Sequence, residues 1–372
     1  MADIDLLVLG ELNADVIVEC GATRPEFGQV EDIVDDAEIV LGSSGAITAC
    51  GAARLGAKVA FAGVVGDDWL GDFVLERLRE RGVDTTHCLR RPGRRTGMSI
   101  VLSSDGDRSI LTFPGEIGRL SAHDVATEAL AAARHVHVSS YFLQYDLWAG
   151  LPHLFRTARE RGVTTSVDPN WDPSRTFDHG LPALLPLVDY LLPNEAEAVR
   201  IAAALTGQGA HAGGSRTGAD HAHADHAQAD RAHPDRAHAG LSATRSGAGE
   251  AAAALAGAGT TAVVKRGAEG ALLHSRGGTV WSVSAPAVTP VETTGAGDSF
   301  DAGLLAALLA GQDLPAALRL ASACGALSTQ GRGGTAAQPE RGQAAALAGG
   351  LTVTEYEAPV AARADDGREQ QQ

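Results

Sequence analysis

The sequence predicts an α/β fold built on a mostly parallel sheet with helices on both faces. Short apolar runs alternate with helical patterns along most of the chain, the rhythm of strand–helix–strand units. With 44% hydrophobic but only 4% aromatic residues in 372, the core must be made of Ala, Val and Leu. No apolar stretch is long enough for a membrane span, so the chain reads as a soluble protein.

Ile4 to Leu9 is an apolar run ending at Gly10, as expected of a buried strand. Residues 45–55 follow as a small-residue helix closed by Gly56, then a strand over Lys58 to Ala62. A helix is predicted over 67–81, with Gly82 past its end as C-cap. Further strands are expected at 135–138, 163–167, 188–192 and 261–264, and further helices at 147–161, 194–204 and 295–310. The hairpin from Met98–Leu102 to Ser109–Phe113, turning at Asp105-Gly106, breaks this rhythm. It belongs outside the sheet, as a decoration or as a lid.

Two stretches lack the apolar side chains that offset backbone ordering, about 1–2 kcal/mol per residue. One is an Ala/His/Asp-rich segment at 207–246, read as a disordered insertion; the other is the polar C-terminal tail at 353–372. The insertion holds His211, His221, His223, His226, His233 and His238, but their spacing fits no closed metal site.

The formal charge of −16 argues against nucleic-acid or anionic-membrane partners. Cys20, Cys50, Cys88 and Cys324 are far apart, which predicts reduced thiols rather than disulfides or zinc ligands. With no basic leader before the first strand, a cytoplasmic location is expected.

Thr293-Thr294-Gly295-Ala296-Gly297-Asp298 carries the strongest chemical signal. Phe300, Leu304, Leu305, Leu308 and Leu309 recur after it at helical spacing, so the glycines open a helix. Unpaired N–H groups and the positive end of the helix dipole make such a terminus an anion site. Asp298, in the first turn, is placed to accept a proton from a hydroxyl. Alone, the segment reads equally well as a glycine-rich cap with Asp298 complementing the dipole. The only lysines, Lys58 and Lys265, lie in no Gly-Lys-Ser/Thr sequence, and no dinucleotide fingerprint follows the first strand.

The segment resembles the C-terminal signature of the PfkB (ribokinase-like) carbohydrate kinase family. Gly42-Ser43-Ser44-Gly45 through Gly56, with Ala62-Gly63-Val64-Val65-Gly66-Asp67-Asp68, resembles its N-terminal signature. Leu192-Pro193-Asn194-Glu195-Ala196-Glu197 and Val263 to Ala271 match further family segments in the right order. The resemblance runs from residue 4 to about 340. It implies one three-layer α/β/α kinase domain over 1–350, with a small β lid from about 12–41 and 95–114.

It further implies ATP-dependent transfer of the γ-phosphoryl group to a sugar hydroxyl, with Asp298 as base and the Gly295, Ala296 and Gly297 amides as anion hole. Asn194, Lys265, Gly267 and Gly270 would lie along ATP, and Glu197 would help place Mg²⁺ through water. Asn13, Asp15, Gly42, Ser43 and Asn170 would hold the acceptor, since carboxylate and amide groups can bridge adjacent hydroxyls. Glu292 stands in a loop that binds a monovalent cation in some members, which makes K⁺ a candidate activator. The lid edges make a homodimer a candidate assembly.

Three departures leave the sugar open: Ser43 for a glycine, Ile47 for a sugar-contacting Asn, and Asp172 for an Arg common after the D-x-N segment. Loss of that Arg argues against a sugar acid, with Arg108 as a candidate substitute. A nucleoside kinase with Phe113, Tyr141, Phe142 or Trp171 against the base, and a non-catalytic sugar- or nucleotide-binding module, are the alternatives.

Overall fold

The structure, a computed structural model, describes residues 3–25, 28–104, 107–207 and 247–357. Apart from Gly207, the predicted insertion at 207–246 lies outside the described residues, as do the hairpin turn at Asp105-Gly106 and the tail beyond 357.

The central sheet has nine strands. Its parallel part runs β4 (Val59–Ala62), β1 (Ile4–Leu9), β9 (Ala133–Val138), β10 (Thr164–Val167), β11 (Tyr190–Leu191) and β12 (Thr261–Lys265). Antiparallel β13 (Ala271–His274), β14 (Thr279–Val283) and β15 (Val353–Glu357) extend it. A separate four-stranded sheet has the order β3 (Asp36–Leu41), β2 (Asn13–Glu19), β7 (Gly97–Ser104), β8 (Asp107–Phe113). β5 (Val64–Gly66) and β6 (Leu89–Arg91) form a two-stranded ribbon.

The helices are α1 (Ser44–Arg54), α2 (Trp69–Glu80), α3 (Thr127–Ala132), α4 (Leu151–Glu160), α5 (Leu181–Leu184), α6 (Glu195–Leu205), α7 (Gly247–Gly257), α8 (Ala296–Leu309), α9 (Leu314–Ser328) and α10 (Arg341–Ala348). Successive side chains of a strand point to opposite faces, and here both faces are covered. Leu7 and Leu9 pack with Val136 of β9 and with Leu130, Phe155, Ile201 and Leu255, from α3, α4, α6 and α7. Leu6 and Val8 pack with Ala49, Val74 and Leu305, from α1, α2 and α8. This is why β1 reads as an unbroken apolar run rather than an alternation. The third cluster sets Val263 and Leu273 under α8, α9 and α10.

Two helices are shorter than their sequence pattern. Asp68 takes the N-cap of α2, accepting a hydrogen bond from the Gly71 N–H at 3.0 Å, so the helix starts at Trp69. Residues 147–150 form turns, and α4 starts at Leu151 with Pro152 in its first turn. The predicted polar tail is corrected at its beginning. Val353–Glu357 is a strand, registered against β14 from Val283↔Val353 to Thr279↔Glu357, and Trp281 Nε1 donates to Glu355 at 3.1 Å. Its mixed composition hid it, because an edge strand needs apolar residues on one side only.

Ending the chain after Leu351 would leave β14 as a bare edge. The urea midpoint of that truncation is expected to fall by the equivalent of about 1–3 kcal/mol. An unchanged midpoint would show that β15 adds nothing.

Candidate active site

Polar residues gather where the parallel strands end, the place where ligands bind in open α/β sheets. Glu11 follows β1, Ser140 follows β9, Asp168 and Asn170 follow β10, Asn194 follows β11, and Lys265 ends β12. The amino-terminal turn of α8 meets this edge. Gly295 caps the helix at φ 73°, and a Cβ there would lie 2.7 Å from the Gly334 Cα, so only glycine fits. The Ala296 N–H closes a turn onto the Thr293 carbonyl at 3.2 Å. Thr48 Oγ1 donates to the Asp298 carbonyl at 3.3 Å, tying the turn to α1.

Asp298 is half-buried in the first turn. Loss of water around it, reinforced by the Asp168 and Glu11 carboxylates, pushes its pKa up to about 8, while Lys265 and a Ser44 hydrogen bond oppose the rise. A carboxyl titrating near neutrality suits a general base.

The predicted acceptor residues come together. Asn13 Nδ2 donates to Asp15 Oδ1 at 2.8 Å, and the Gly42 N–H donates to the Asn13 carbonyl at 3.0 Å. A Cβ on Gly42 would overlap Asp15 Oδ1 and lie 2.5 Å from Asn13 Nδ2, so the glycine keeps that pair in place. Ser43 takes the left-handed conformation (φ 73°) and caps α1, accepting from the Ala46 N–H at 3.0 Å. Asn170, also left-handed at φ 55°, donates through Nδ2 to Ser140 Oγ at 3.0 Å and Ser44 Oγ at 3.3 Å. Burial, with Glu292 adding its charge, pushes Asp15 up to about 6 against hydrogen bonds from Ser99 and Asn13.

Asn194 and Glu197 form a closed capping box on α6. The Glu197 carboxylate accepts from the Asn194 N–H at 2.9 Å and from its Nδ2 at 2.6 Å, while Asn194 Oδ1 accepts from the Glu197 N–H at 2.9 Å. Burial, then Asp168, raises Glu197 to about 7 against Lys265 and the Asn194 bonds. Gly267 and Gly270 stand apart from this cluster, in the turn between β12 and β13. At Gly270 (φ 92°) a Cβ would strike the Val283 carbonyl, a backbone reason for that glycine; Gly267 (φ 54°) faces open space. Glu292 Oε2 accepts from the Gly333 N–H at 2.8 Å and joins two loops.

Among the described residues, no group of three or more His, Cys, Asp or Glu side chains is arranged to hold a metal ion. Mg²⁺ on nucleotide phosphates keeps several waters and needs only one or two carboxylates. Glu197, with both oxygens engaged by Asn194, fits contact through water.

Sequence reasoning missed two participants, Glu11 and Asp301, and offered Arg108 only as a substitute cation for a sugar acid. Glu11, buried, accepts from the Ser44 N–H at 2.9 Å, from Ser140 Oγ at 3.0 Å and from Gln144 Nε2 at 3.1 Å. Asp301 is fully buried and sits 2.9 Å from Lys265 Nζ; its signal was a charge inside an otherwise apolar helix pattern. Arg108, in β8, donates to Thr294 Oγ1 at 2.8 Å and so brings the small sheet onto the glycine turn. Asp172 faces its own loop instead of a ligand, accepting from the Ser174 N–H at 2.8 Å and the Phe177 N–H at 2.7 Å. Of the aromatic residues, Tyr141 and Phe142 are core, Phe113 lies under Arg95, and Trp171 is 42% exposed beside Phe177.

The family model for pfkB family carbohydrate kinases matches residues 3–341. The chain belongs to this family. The chain is 27% identical to the ribokinase of Haemophilus influenzae over 341 residues, covering 90% of this chain and 95% of that protein. It is 24% identical to the 2-dehydro-3-deoxygluconokinase of Bacillus subtilis over 327 residues, 85% of this chain and 88% of that one. The ribokinase of Arabidopsis thaliana complexed with ribose and ATP superposes with a TM-score of 0.70 at 25% identity, over 94% of this chain and 99% of that one. A candidate ribokinase II of E. coli in complex with ATP and Mg²⁺ also gives 0.70, at 24% identity over 92% and 98%. As a pfkB carbohydrate kinase, the chain shares the ribokinase architecture over nearly its whole length.

Two outcomes follow. Gly42→Ala should raise the acceptor KM by about tenfold or more, with ATP affinity unchanged, by displacing Asn13 and Asp15; an unchanged KM would separate that pair from the acceptor. A carboxyl with a raised folded-state pKa stabilises fully below its unfolded value and loses that contribution as pH climbs through the folded one. Asp15, Glu197 and Asp298, at about 6, 7 and 8 against ordinary values of 3.8 to 4.5, place that loss between about pH 4 and 8. Asp5, Asp68 and Asp172, held below the ordinary carboxylate range, act in the opposite sense only at more acidic pH, whereas His135 and His137, pushed down to about 3 and 4 by burial, oppose the loss until pH passes about 6.5, the ordinary histidine value. The ligand-free protein should therefore show a lower urea midpoint at pH 8 than at about pH 6.5, where the histidines no longer contribute, and a midpoint rising over that interval would contradict these buried carboxyls.

Proposed function

We propose that this pfkB kinase transfers the γ-phosphoryl group of ATP to a hydroxyl of a sugar, with Asp298 as general base. The observation that carries the reading is the meeting of Asp298, through Ser44, with the Asn170 side of the acceptor pocket, at the edge where the α8 turn presents its amides. Asn13, Asp15 and Asn170 bind the acceptor and aim one hydroxyl at Asp298, which takes its proton as the new O–P bond forms and the bond to ADP breaks. First-turn N–H groups at Gly295 and Gly297 stabilise charge on the transferred group, the Ala296 N–H being engaged by the Thr293 carbonyl, and Arg108 reaches the same turn from the small sheet. Glu197 would hold Mg²⁺ through water, and the ion would supply charge neutralisation on the phosphates. Gly267 and Gly270, in the turn after β12, lie where the nucleotide is assigned, while the Lys265 ammonium is engaged by Asp301 and Asp168, and the Glu292 loop is the place assigned to K⁺.

The register of the small sheet puts Asp15, Ser99 and Thr112 on one face. Val16, Ile39, Ile100 and Leu111 form an apolar row on the other, with Ile39 and Leu111 exposed. That row suits a second copy of the chain, which supports the homodimer.

The test is ADP release with D-ribose, D-fructose, 2-dehydro-3-deoxygluconate and a panel of nucleosides. One sugar should stimulate turnover, and Asp298→Asn should lower that turnover by about 10³-fold or more while ATP still binds. Stimulation by nucleosides alone would favour the nucleoside kinase. Absence of any stimulation would favour a binding module, and wild-type turnover in Asp298→Asn would remove Asp298 as base.

A further inference from the structure

Lys265 does not behave as a surface nucleotide contact. Its ammonium lies 2.9 Å from Asp301 Oδ2 and 3.4 Å from Asp168 Oδ2, and the three side chains are 11%, 0% and 7% exposed. The group joins three elements: β12 through Lys265, the end of β10 through Asp168, and α8 through Asp301. Asp301 follows Asp298 by three residues, so the two carboxylates lie on the same side of the helix, one turn apart. A Cβ on Gly297 would sit 3.6 Å from Lys265 Nζ, which places the ammonium directly under the anion-hole turn.

We propose that Lys265 and Asp301, with Asp168, form a buried tether that positions the Asp298 turn of α8 for transfer. This rests on Asp298 being the base. Both residues are positioning residues: neither touches the reacting atoms, and each acts through the turn.

Energetics support the assignment. Asp301 Oδ1 has no hydrogen-bond partner in its fully buried position, and a carboxylate left half-satisfied is costly. Neighbouring positions of α8 are filled by Phe300, Ala302, Leu304 and Leu305, so packing alone would be served by an apolar residue. A buried ion pair is weak as a source of stability and strong as a way of fixing geometry. Here it fixes the one turn whose placement matters for chemistry, while Thr48 holds the same turn from α1.

Charge acts in the same place. Asp298 is faced by Glu11 after β1, Asp168 after β10, Asp301 on its own helix and Lys265 on β12; Glu197 on α6 and neutral His137 on β9 lie beside Asp168 and Lys265. Lys265 is the cation set against these carboxylates. Burial pulls its own pKa down, but Asp168, Asp301 and Glu197 outweigh that and leave it firmly protonated.

The test compares Lys265→Met, Asp301→Asn and the double variant, in the full chain. Turnover is read with whichever of D-ribose, D-fructose or 2-dehydro-3-deoxygluconate the wild type uses fastest, and ATP affinity by calorimetry. Lys265→Met should lower kcat by about tenfold or more with ATP affinity held within about twofold. The acid limb of kcat/KM should move to higher pH in Lys265→Met and to lower pH in Asp301→Asn, a split that a purely structural role would not produce. If Lys265→Met fails to fold, Asp301→Asn and the double variant, which leaves no ammonium at 265 and no charge at 301, carry the test. The double variant should fold and still turn over slowly. Wild-type kcat in the double variant, a pH limb unmoved in Asp301→Asn, or lost ATP affinity with intact kcat would each overturn the tether. Asp298→Asn run alongside separates the two failures: if it keeps turnover the base assignment falls, and if it is dead while the double variant is normal only the tether does.

Discussion

The structure depends on burying a parallel sheet on both faces. Leu6 and Val8 face α1, α2 and α8 while Leu7 and Leu9 face α3, α4, α6 and α7, and the buried polar side chains within the strands, His135, His137 and Ser166, bond to one another. Chemistry is confined to the strand ends. Glu11, Asn170, Asn194 and Lys265 come from four different places in the chain and meet there because parallel strands all end on the same side. The α8 turn closes the arrangement, and Gly295 is needed because the Gly334 backbone leaves no space for a side chain.

This confinement creates an electrostatic problem. Five carboxylates, Glu11, Asp168, Glu197, Asp298 and Asp301, crowd a site read as binding a highly charged anion, in a chain already carrying −16. Burial answers part of it by raising the carboxyl pKa values of Glu11, Glu197, Asp298 and Asp301, which lowers the cost of crowding them. Lys265 answers another part with a cation that stays charged. Helix-terminal N–H groups supply positive potential where a side chain would be too bulky, which is what a glycine turn offers and a lysine cannot.

How much of this was legible in the sequence follows from the range of the interactions. The parallel sheet, the hairpin of the small sheet and the glycine turn could be read because their signals are local: apolar runs, a helix opened by glycines, β-prone segments around a turn. The Asn13, Gly42 and Asn170 assignments needed a resemblance to a family, since their contacts cross long stretches of chain. Asp301 escaped because a single charge in an apolar helix has no meaning until Lys265, 36 residues earlier, is seen beside it. Glu11 escaped for the same reason, with partners at Ser44, Ser140 and Gln144. β15 escaped because an edge strand with one covered face carries too weak a pattern to stand out from a polar tail.

Asp172 shows where the acceptor question now lies. As a replacement for an arginine it looked like a change in what the pocket binds, yet its carboxylate is spent on Ser174, Thr176 and the Phe177 N–H. Those bonds hold a loop in which Arg175, Phe177 and His179 all take positive φ, a conformation that side chains other than glycine adopt at a cost. The loop begins at Asn170, one residue before exposed Trp171. Asp172 therefore shapes the loop that carries Asn170, so on the proposed reading the replacement changes the form of the pocket as well as its charge. The anionic group of an acid sugar would have to be met by another cation, and Arg108, already at Thr294, stands nearest to the chemistry on the small-sheet side.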